Sequence, residues 1–387
     1  MRYSKLFYFF IFAALASLLP FLALYYEQIG LSGGQIGLLV GIPPLVSLVS
    51  ATLFGAIADA TRQHKLLLLT TVSGYTLSVL ALSRVTQFGG LVVVMFVYAL
   101  FFAPILPLVD KTTLDLLGNN KEAYGRQRLW GSLGYGLAAP AAGVIIEATE
   151  LHWAFYICGG LLLVLVLVST RLPVGQVNLD GHVWQGMRLL VTSWRWAVFL
   201  AVVFIGGAAL AVNTNYLFLY LAELGASKSW MGLSQSLATA SEVVILFFSA
   251  QLMARFGTRG LLIISMLFWV IRLLGYAVAT SAAVVIALQL LHGPTFAIML
   301  VAGVAHADRL APAGMGVTAQ GVFSGVMLGL GAAFGAIIGG FAYQSLGLAA
   351  MFGWAGAGVL LALFLFVAAG RVVANRRLKA AITEVKP

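Results

Sequence analysis

Charged residues are scarce in this chain of 387 residues: Asp, Glu, Lys and Arg make up 9% of it, whereas 61% is hydrophobic. A soluble globular domain carries roughly 25% charged residues, so the composition excludes a soluble protein. The mean hydropathy of +1.02 supports the same conclusion. The chain is therefore expected to lie in a lipid bilayer.

Cysteines and cofactor motifs are also lacking. Cys158 is the only cysteine, which excludes an intramolecular disulfide and a metal site built from thiolates. The sequence contains no H-E-x-x-H and no glycine-rich phosphate loop ending in Lys-Ser or Lys-Thr. We predict no metal, no cofactor and no enzymatic activity. Without a nucleotide site, any transport has to be driven by an ion or solute gradient.

Long apolar runs dominate what is present. About 20 apolar residues cross a bilayer as a helix, and the alternating pattern of an outer-membrane barrel is absent from the sequence. The prediction is an all-α membrane protein with twelve transmembrane helices, numbered in chain order. Their ranges are about 5–26, 35–58, 66–83, 90–110, 126–147, 154–171, 195–221, 229–254, 260–279, 283–305, 316–342 and 349–370.

The net charge of +10 is unevenly distributed. If the N-terminus is cytoplasmic, 19 of the 22 Lys and Arg residues fall on the cytoplasmic side, the exceptions being Arg84, Lys228 and Arg272. This bias is the positive-inside rule, which predicts that both termini lie in the cytoplasm. Basicity therefore sets topology in the inner membrane, and nucleic acid is not a predicted partner.

A sequence repeat suggests two similar halves. Residues 22–37 and 217–232 share six identities at a constant offset of 195. A duplicated six-helix unit suits a transporter with a binding site near the bilayer midplane. The predicted domains are an N-terminal six-helix bundle (1–172), a cytoplasmic linker (173–194) and a C-terminal six-helix bundle with a short cytoplasmic tail (195–387).

Two ionisable residues in the N-terminal half are candidates for substrate binding. Charges within membrane segments are costly and mark functional sites by default. Arg128 offers a fork of donors for a carboxylate or vicinal hydroxyls, and Asp110 offers acceptors. Trp130, Tyr135 and Tyr98 offer ring faces. The alternative is an interfacial ion pair with no role in binding.

The C-terminal half carries Glu242, Arg272 and His292. Glu242 is followed by four apolar residues, so a carboxyl there, balanced against Arg272, could take and release a proton. His292 could relay protons or bind substrate. The alternatives are a permanent Glu242–Arg272 bridge that only connects helices 8 and 9, and a histidine that only stabilises a helix kink.

The segment between helices 2 and 3 contains Gly55, Asp59 and Arg62. It resembles the G-x-x-x-D-x-x-x-R signature of the major facilitator superfamily. Such a loop, with an acid at a helix end, can hold neighbouring helix termini in one of two arrangements. These three residues are therefore predicted to form a conformational latch.

Within that superfamily the sequence resembles the lactose permease group of oligosaccharide/proton symporters and the phenylpropionate permease group. The resemblance implies the major facilitator fold, with two six-helix halves related by a pseudo-two-fold axis, and a monomeric proton-coupled transporter of small molecules. The stretches that carry the resemblance are Tyr8-Phe9-Phe10, Pro20-Phe21, Tyr124 to Gly131, Phe247-Phe248, Val270-Ile271-Arg272 and Leu290-Leu291-His292.

Site residues follow from this resemblance position by position. Arg128 matches the sugar-binding arginine, and Asp110 matches the helix 4 glutamate. Tyr135 replaces the tryptophan on which the sugar ring stacks. Arg272 and His292 match two members of the proton-coupling cluster.

Other positions depart from the permease pattern. Thr295 and Thr239 replace its helix 10 and helix 8 glutamates, and Glu242 lies one turn after Thr239. An Asn-Thr-Asn run stands in place of its paired helix 7 aspartates, so galactoside specificity does not carry over. Polar residues predicted to complete the substrate site are Asn213, Asn215 and Gln289.

Three functions remain open on the sequence. The first is a proton symporter for a sugar, nucleoside or aromatic or organic acid. The second is an efflux antiporter or uncoupled facilitator, since Gly136, Pro140 and Gly143 are similar to part of an antiporter signature. The third is a non-transporting sensor or lipid-handling protein, which would not need paired charges in both halves.

Overall fold

The fold is described by a computed structural model that covers residues 1–61, 63–118, 123–174, 194–311 and 315–384. Within these ranges the chain is helical and contains no strand. The described part leaves out Arg62, the surroundings of Gly55, the Asp59 side chain and the linker segment 175–193. The predicted latch and the predicted linker therefore stay predictions.

Twelve long helical units follow one another in the described ranges. Eleven of them contain a stretch apolar enough to cross a membrane. The remaining unit is α8, which is 20 residues long and carries Glu242. The units are α1 Arg2–Gln28, α2 Gly33–Thr61, α3 His64–Leu82, α4 Phe88–Leu117, α5 Tyr124–Ala148, α6 Trp153–Arg171, α7 Trp194–Glu223, α8 Lys228–Phe247, α9 Ser249–Ala277, α10 Ala282–Leu310, α11 Thr318–Leu346 and α12 Leu348–Glu384.

Several helices are longer than the hydropathy of the sequence predicts. Helix 2 is predicted to end at residue 58 and helix 3 to begin at residue 66, but α2 continues to Thr61 and α3 begins at His64. The helix that was predicted to end at Asp110 continues to Leu117. Polar residues at these helix ends still satisfy their backbone hydrogen bonds along the helix, so hydropathy alone ends each prediction too early.

The turn between helices 8 and 9 lies at Gly257, inside the unit Ser249–Ala277. Gly257 has a φ of 64° and a ψ of 170°, which interrupts the helix. Glycine tolerates this left-handed φ because it has no Cβ. Residues before Gly257 prolong α8, as predicted, and α9 proper begins after it.

Helix α10 is irregular where a single regular helix was predicted. It changes from α-helix (Ala282–Ala287) to a 3₁₀ turn (Leu288–Leu291) and a π-helical turn (Gly293–Ala297). Pro294 has no backbone N–H to donate, which accounts for the local change of hydrogen-bond pattern. Turns of this kind recur at functional sites, and His292 lies here.

The two six-helix halves pack closely on one face of the bundle. We call the face with the N-terminus and the α2–α3 and α8–α9 turns the terminal face, and the other the opposite face. Near the opposite face α2 packs against α11, and a Cβ on Gly340 would lie 2.4 Å from the carbonyl oxygen of Gly33. Helix α5 packs against α8 in the same way, where a Cβ on Gly143 would lie 2.4 Å from the carbonyl oxygen of Lys228.

On the terminal face the helices pack within their own half. The segment Ile105–Leu117 of α4 packs against α3 and α5, and Gly316–Ser324 packs against α10 and the rest of α11. The charged side chains of Asp110 and Arg128, below this face, are 30% and 39% exposed. The described contacts between the two halves therefore lie towards the opposite face, and the Asp110–Arg128 pair stays partly exposed.

The contact between the two halves at Gly143 leads to a prediction. Gly143→Leu is expected to separate α5 from α8 and favour the state open to the opposite face, because overpacking costs about 1–3 kcal/mol, or roughly 5- to 150-fold in population. The measurement is the labelling rate, from the opposite face, of a cysteine at Tyr135 in a Cys158→Ser background. Gly160→Leu is the control, because nothing lies within 4 Å of its Cβ position. Equal labelling rates in the two variants would contradict the prediction.

Candidate functional site

The first polar cluster lies on α1, α4 and α5. Arg128 Nη1 donates to both carboxylate oxygens of Asp110, at 3.0 and 3.2 Å. The Tyr8 hydroxyl donates to Asp110 Oδ1 at 2.6 Å. The Arg128 guanidinium also lies over the rings of Tyr8 and Phe12, 5.7 and 5.3 Å from their centroids. Two aromatic faces and one carboxylate thus fix the guanidinium.

This cluster keeps unused binding capacity. An arginine has five N–H donors in a planar fork, and the hydrogen bonds to Asp110 use only Nη1. Lys111, the next residue in sequence, pairs with Asp115 at 3.3 Å. Tyr124 also lies against Arg128 and Asp110. Arg128 nevertheless remains 39% exposed, so its guanidinium can still donate to a hydroxyl or carboxylate of a bound solute.

The second cluster is centred on Arg272, whose side chain is fully buried. Nε donates to the Tyr276 hydroxyl at 2.7 Å, and Nη1 donates to the Thr295 hydroxyl at 3.1 Å. Nη1 also lies 3.2 Å from His292 Nδ1, and Nη2 donates to Gln289 Oε1. All four partners are neutral groups or an imidazole. Burying a cation without an adjacent carboxylate costs free energy. The position of the nearest acidic side chain therefore determines how this charge is balanced.

His292 connects that cation to the nearest acid. Arginine only donates hydrogen bonds, so His292 Nδ1 must accept from Arg272 and the ring proton must reside on Nε2. Nε2 lies 3.8 Å from Glu242 Oε2. The side chains of Arg272, His292 and Glu242 therefore lie in a row, and the neutral imidazole separates the guanidinium from the carboxylate.

A direct Glu242–Arg272 bridge, one of the alternatives from the sequence, is wrong. Among the described residues, the basic side chain within 4 Å of Glu242 is His292, and no contact of this kind joins Glu242 to Arg272. The arginine that acts electrostatically on Glu242 is Arg128, from the other half. The two clusters, one in each half, therefore lie within electrostatic reach of each other.

A close approach of α8 and α10 brings Glu242 and His292 together. A Cβ on Gly293 would lie only 2.3 Å from the carbonyl oxygen of Ser241. The Ser241 hydroxyl accepts a hydrogen bond from the Gly293 backbone N–H at 3.1 Å. Because Ser241 and Gly293 each adjoin one member of the pair, this contact sets the distance between carboxylate and imidazole.

Three other predicted residues join these clusters. Asn213 is buried and accepts from the Tyr276 hydroxyl at 3.3 Å. Gln289 is also buried, and its amide donates to the same hydroxyl at 3.2 Å. Tyr135 lies two turns after Arg128 on α5, within electrostatic reach of Glu242.

The remaining predicted residues lie apart from the clusters. Asn215 Nδ2 donates to the Ala211 carbonyl of its own helix at 2.8 Å. The Trp130 ring lies 5.7 Å from Lys5 Nζ; residues two apart on a helix do not share a face, so Trp130 does not flank Arg128. Tyr98, predicted to offer a ring face, is buried in a pair with another tyrosine.

Two tyrosines of the site were not predicted. Tyr8 belongs to a run that carries the family resemblance, but nothing in the sequence near it indicates a contact with Asp110, 102 positions away. Tyr276 could have been found, because it lies four residues after Arg272 and side chains at that spacing meet on a helix.

The fold, with charged clusters among its membrane helices, is that of a polytopic membrane transporter. The sequence matches the MFS_1 like family over residues 2–354, and the chain belongs to that family. It is a transporter of the major facilitator superfamily and not an enzyme. The predicted fold, with twelve helices in two related halves, is confirmed.

Individual relatives include sugar and organic acid transporters. The maltose permease of Geobacillus stearothermophilus is 31% identical over 338 residues, covering 87% of this chain and 86% of its own length. A probable 3-phenylpropionic acid transporter of Escherichia coli (strain K12) is 28% identical, with 89% and 92% covered. The crystal structure of the nucleoside transporter NupG aligns with a TM-score of 0.85 at 18% identity, covering 95% of this chain and 98% of that one.

Proposed function

We propose that this protein is a proton symporter that moves a sugar, nucleoside or aromatic or organic acid across the cytoplasmic membrane. The observation that carries the proposal is the presence of two charged clusters among the membrane helices, one in each half and within electrostatic reach of each other. Maltose, phenylpropionate and nucleosides are the solutes named for the related transporters, and the solute class is chosen accordingly.

The N-terminal cluster is the proposed substrate site. Arg128 presents unused donors to the cavity, and Asp110 holds its guanidinium in place. Tyr135 on the same helix supplies a ring face, whereas Asn213 and Gln289 act from the other half by holding the Tyr276 hydroxyl beside Arg272. A solute with a carboxylate or adjacent hydroxyls and an apolar ring fits these groups.

The C-terminal cluster is the proposed proton site, with Glu242 as the carrier. His292 is held neutral by Arg272, since a second proton on Nδ1 would face an arginine N–H at 3.2 Å. Glu242 is partly exposed to the cavity, at 25%, and can exchange its proton with water there.

Competition for Arg128 supplies the coupling. Ionised Glu242 attracts Arg128 in the other half. A substrate that occupies the Arg128 donors weakens this attraction, and protonation of Glu242 removes it. The loaded and protonated protein therefore loses one attraction between its halves, which favours movement of one half against the other.

The proposed orientation follows the positive-inside rule. The termini and the basic turns share the terminal face, so this face is placed in the cytoplasm. The proposed latch of Gly55, Asp59 and Arg62 belongs to the same face. The protein is proposed to act as a monomer.

The experiment is substrate-dependent proton movement in proteoliposomes. A thermal-shift panel of sugars, nucleosides and aromatic acids first selects a ligand. A symporter takes up protons with that ligand in the same direction, whereas an antiporter moves them in the opposite direction. Uptake of ligand without proton movement indicates a facilitator, and binding without uptake indicates a sensor; each of these last three results contradicts the proposal.

Tyr8 provides a smaller test of the substrate site. Tyr8→Phe removes one hydrogen bond to Asp110 and keeps the ring beneath Arg128, so the loss of about 1 kcal/mol is expected to weaken binding of the selected ligand about fivefold. The measurement is equilibrium binding to purified protein. Tyr3→Phe, at an exposed position, is the control. Unchanged affinity in Tyr8→Phe would show that the Tyr8 hydroxyl does not contribute to ligand binding.

A further inference from the structure

A charged cavity lies at the terminal face of the C-terminal half, away from the two charged clusters. It has a volume of about 480 Å³ and is formed by the ends of α7, α9, α10 and α12. Three arginines and a histidine line it, together with two aromatic side chains. These residues are Arg195, Arg259, Arg309, His306, Trp194 and Phe366.

The basic groups converge within this cavity. His306 interacts electrostatically with both Arg259 and Arg309, which come from different helices. Its Nδ1 lies 2.9 Å from the Thr258 hydroxyl, which holds the ring in place. Arg259 is fixed by a hydrogen bond of 3.2 Å to the Phe366 carbonyl and lies 5.4 Å above the Phe366 ring.

The positive charge of the cavity is not neutralised by the part of the chain that the structure describes. The contacts within 4 Å between basic and acidic side chains found there involve Lys111, Arg128 and His292, and none involves the three arginines of the cavity. Asp308, next to Arg309 in sequence, lines a different cavity with Gln320. Convergent guanidinium groups without acidic partners favour a phosphate-bearing anion.

An apolar groove continues from this basic cavity. Val198 and Phe366 line both the cavity and a groove of about 280 Å³ between α7 and α12. From Ile205 and Gly358 a further apolar groove continues to Val212. The fourteen-residue distance from Val198 to Val212 on α7 is about 21 Å, and one leaflet of hydrocarbon is roughly 15 Å deep. The groove can therefore hold an acyl chain.

We propose that this cavity and groove form a binding site for one anionic phospholipid of the terminal-face leaflet. The headgroup phosphate binds the arginines at the membrane surface, and one acyl chain lies in the groove between α7 and α12. Basic pockets between membrane helices are suited to anionic headgroups. The site is separate from the transport cavity and does not depend on the proposed function.

The test uses native mass spectrometry of the full chain in detergent with phosphatidylglycerol or phosphatidylcholine. Phosphatidylglycerol is expected to bind in preference, and the double variant Arg195→Gln/Arg309→Gln is expected to bind it about 10- to 30-fold more weakly. The matched control is Arg171→Gln/Arg255→Gln, which removes the same charge from the same face outside the cavity. Equal loss in the two double variants would overturn the proposal.

Two further measurements distinguish the lipid from a free anion. Ala362→Trp fills the groove and leaves the arginines in place. It is therefore expected to weaken the binding of long-chain phosphatidylglycerol and to leave the binding of inorganic phosphate unchanged. Inorganic phosphate is expected to protect the protein against thermal unfolding far less than the lipid. Equal protection by both, or unchanged lipid affinity in Ala362→Trp, would overturn the assignment of a lipid.

Discussion

Arg128→Lys is expected to lose most substrate binding although it keeps the positive charge. Lysine has a single ammonium without the planar fork, so it cannot hold Asp110 and a substrate oxygen in the geometry that Arg128 Nη1 now sets. The loss of a charge-assisted hydrogen bond is worth about 1.5–3 kcal/mol, which corresponds to roughly 10- to 150-fold in affinity. Equilibrium binding of the ligand selected from the panel measures it.

The control for this substitution is Arg126→Lys. Arg126 lies two residues earlier on the same helix, and its side chain is exposed. Its substitution therefore replaces a guanidinium with an ammonium group outside the cluster. Both variants keep the net charge and the helix. Wild-type affinity in Arg128→Lys would place the substrate site elsewhere.

Glu242→Gln is expected to abolish uphill accumulation while leaving exchange of substrate intact. Glutamine imitates the permanently protonated acid, and exchange needs no change of protonation. The substitution also removes the attraction to Arg128, so the exchange rate should not fall. The two measurements are accumulation driven by a pH gradient and counterflow with equal pH on both sides, in proteoliposomes.

Glu223→Gln, at the end of α7, is the matched control for loss of one carboxylate. It is expected to retain both activities. Persistence of uphill transport in Glu242→Gln would make Glu242 a structural residue. The proton would then have to be carried by Asp110, or the transport would be uncoupled.

The class of protein could be predicted from the sequence because membrane insertion depends on local properties. Twelve apolar runs, the repeat at an offset of 195 and the distribution of Lys and Arg can each be read along the chain. The predicted helix ends were less accurate, because a helix can continue through a polar residue such as Asp110 beyond the end of its apolar run.

The composition of the site was also largely predictable, because an ionisable residue in an apolar run is conspicuous. Asp110, Arg128, Glu242, Arg272 and His292 were all named on that ground. Their partners could not be assigned in the same way, because hydropathy carries no information about which helix faces lie next to each other.

Tertiary packing decided those partners. The close approach at Gly293 places His292 between Glu242 and Arg272, which rules out the direct bridge that was one alternative from the sequence. Helices α1 and α4 both pack against α5, which places Tyr8 beside the Asp110–Arg128 pair, and the packing of α5 against α8 brings Arg128 within electrostatic reach of Glu242. The sequence by itself determined that charges lie in the membrane, since each charge is a property of one residue. Their pairing depends on contacts between distant helices, which only the folded structure determines.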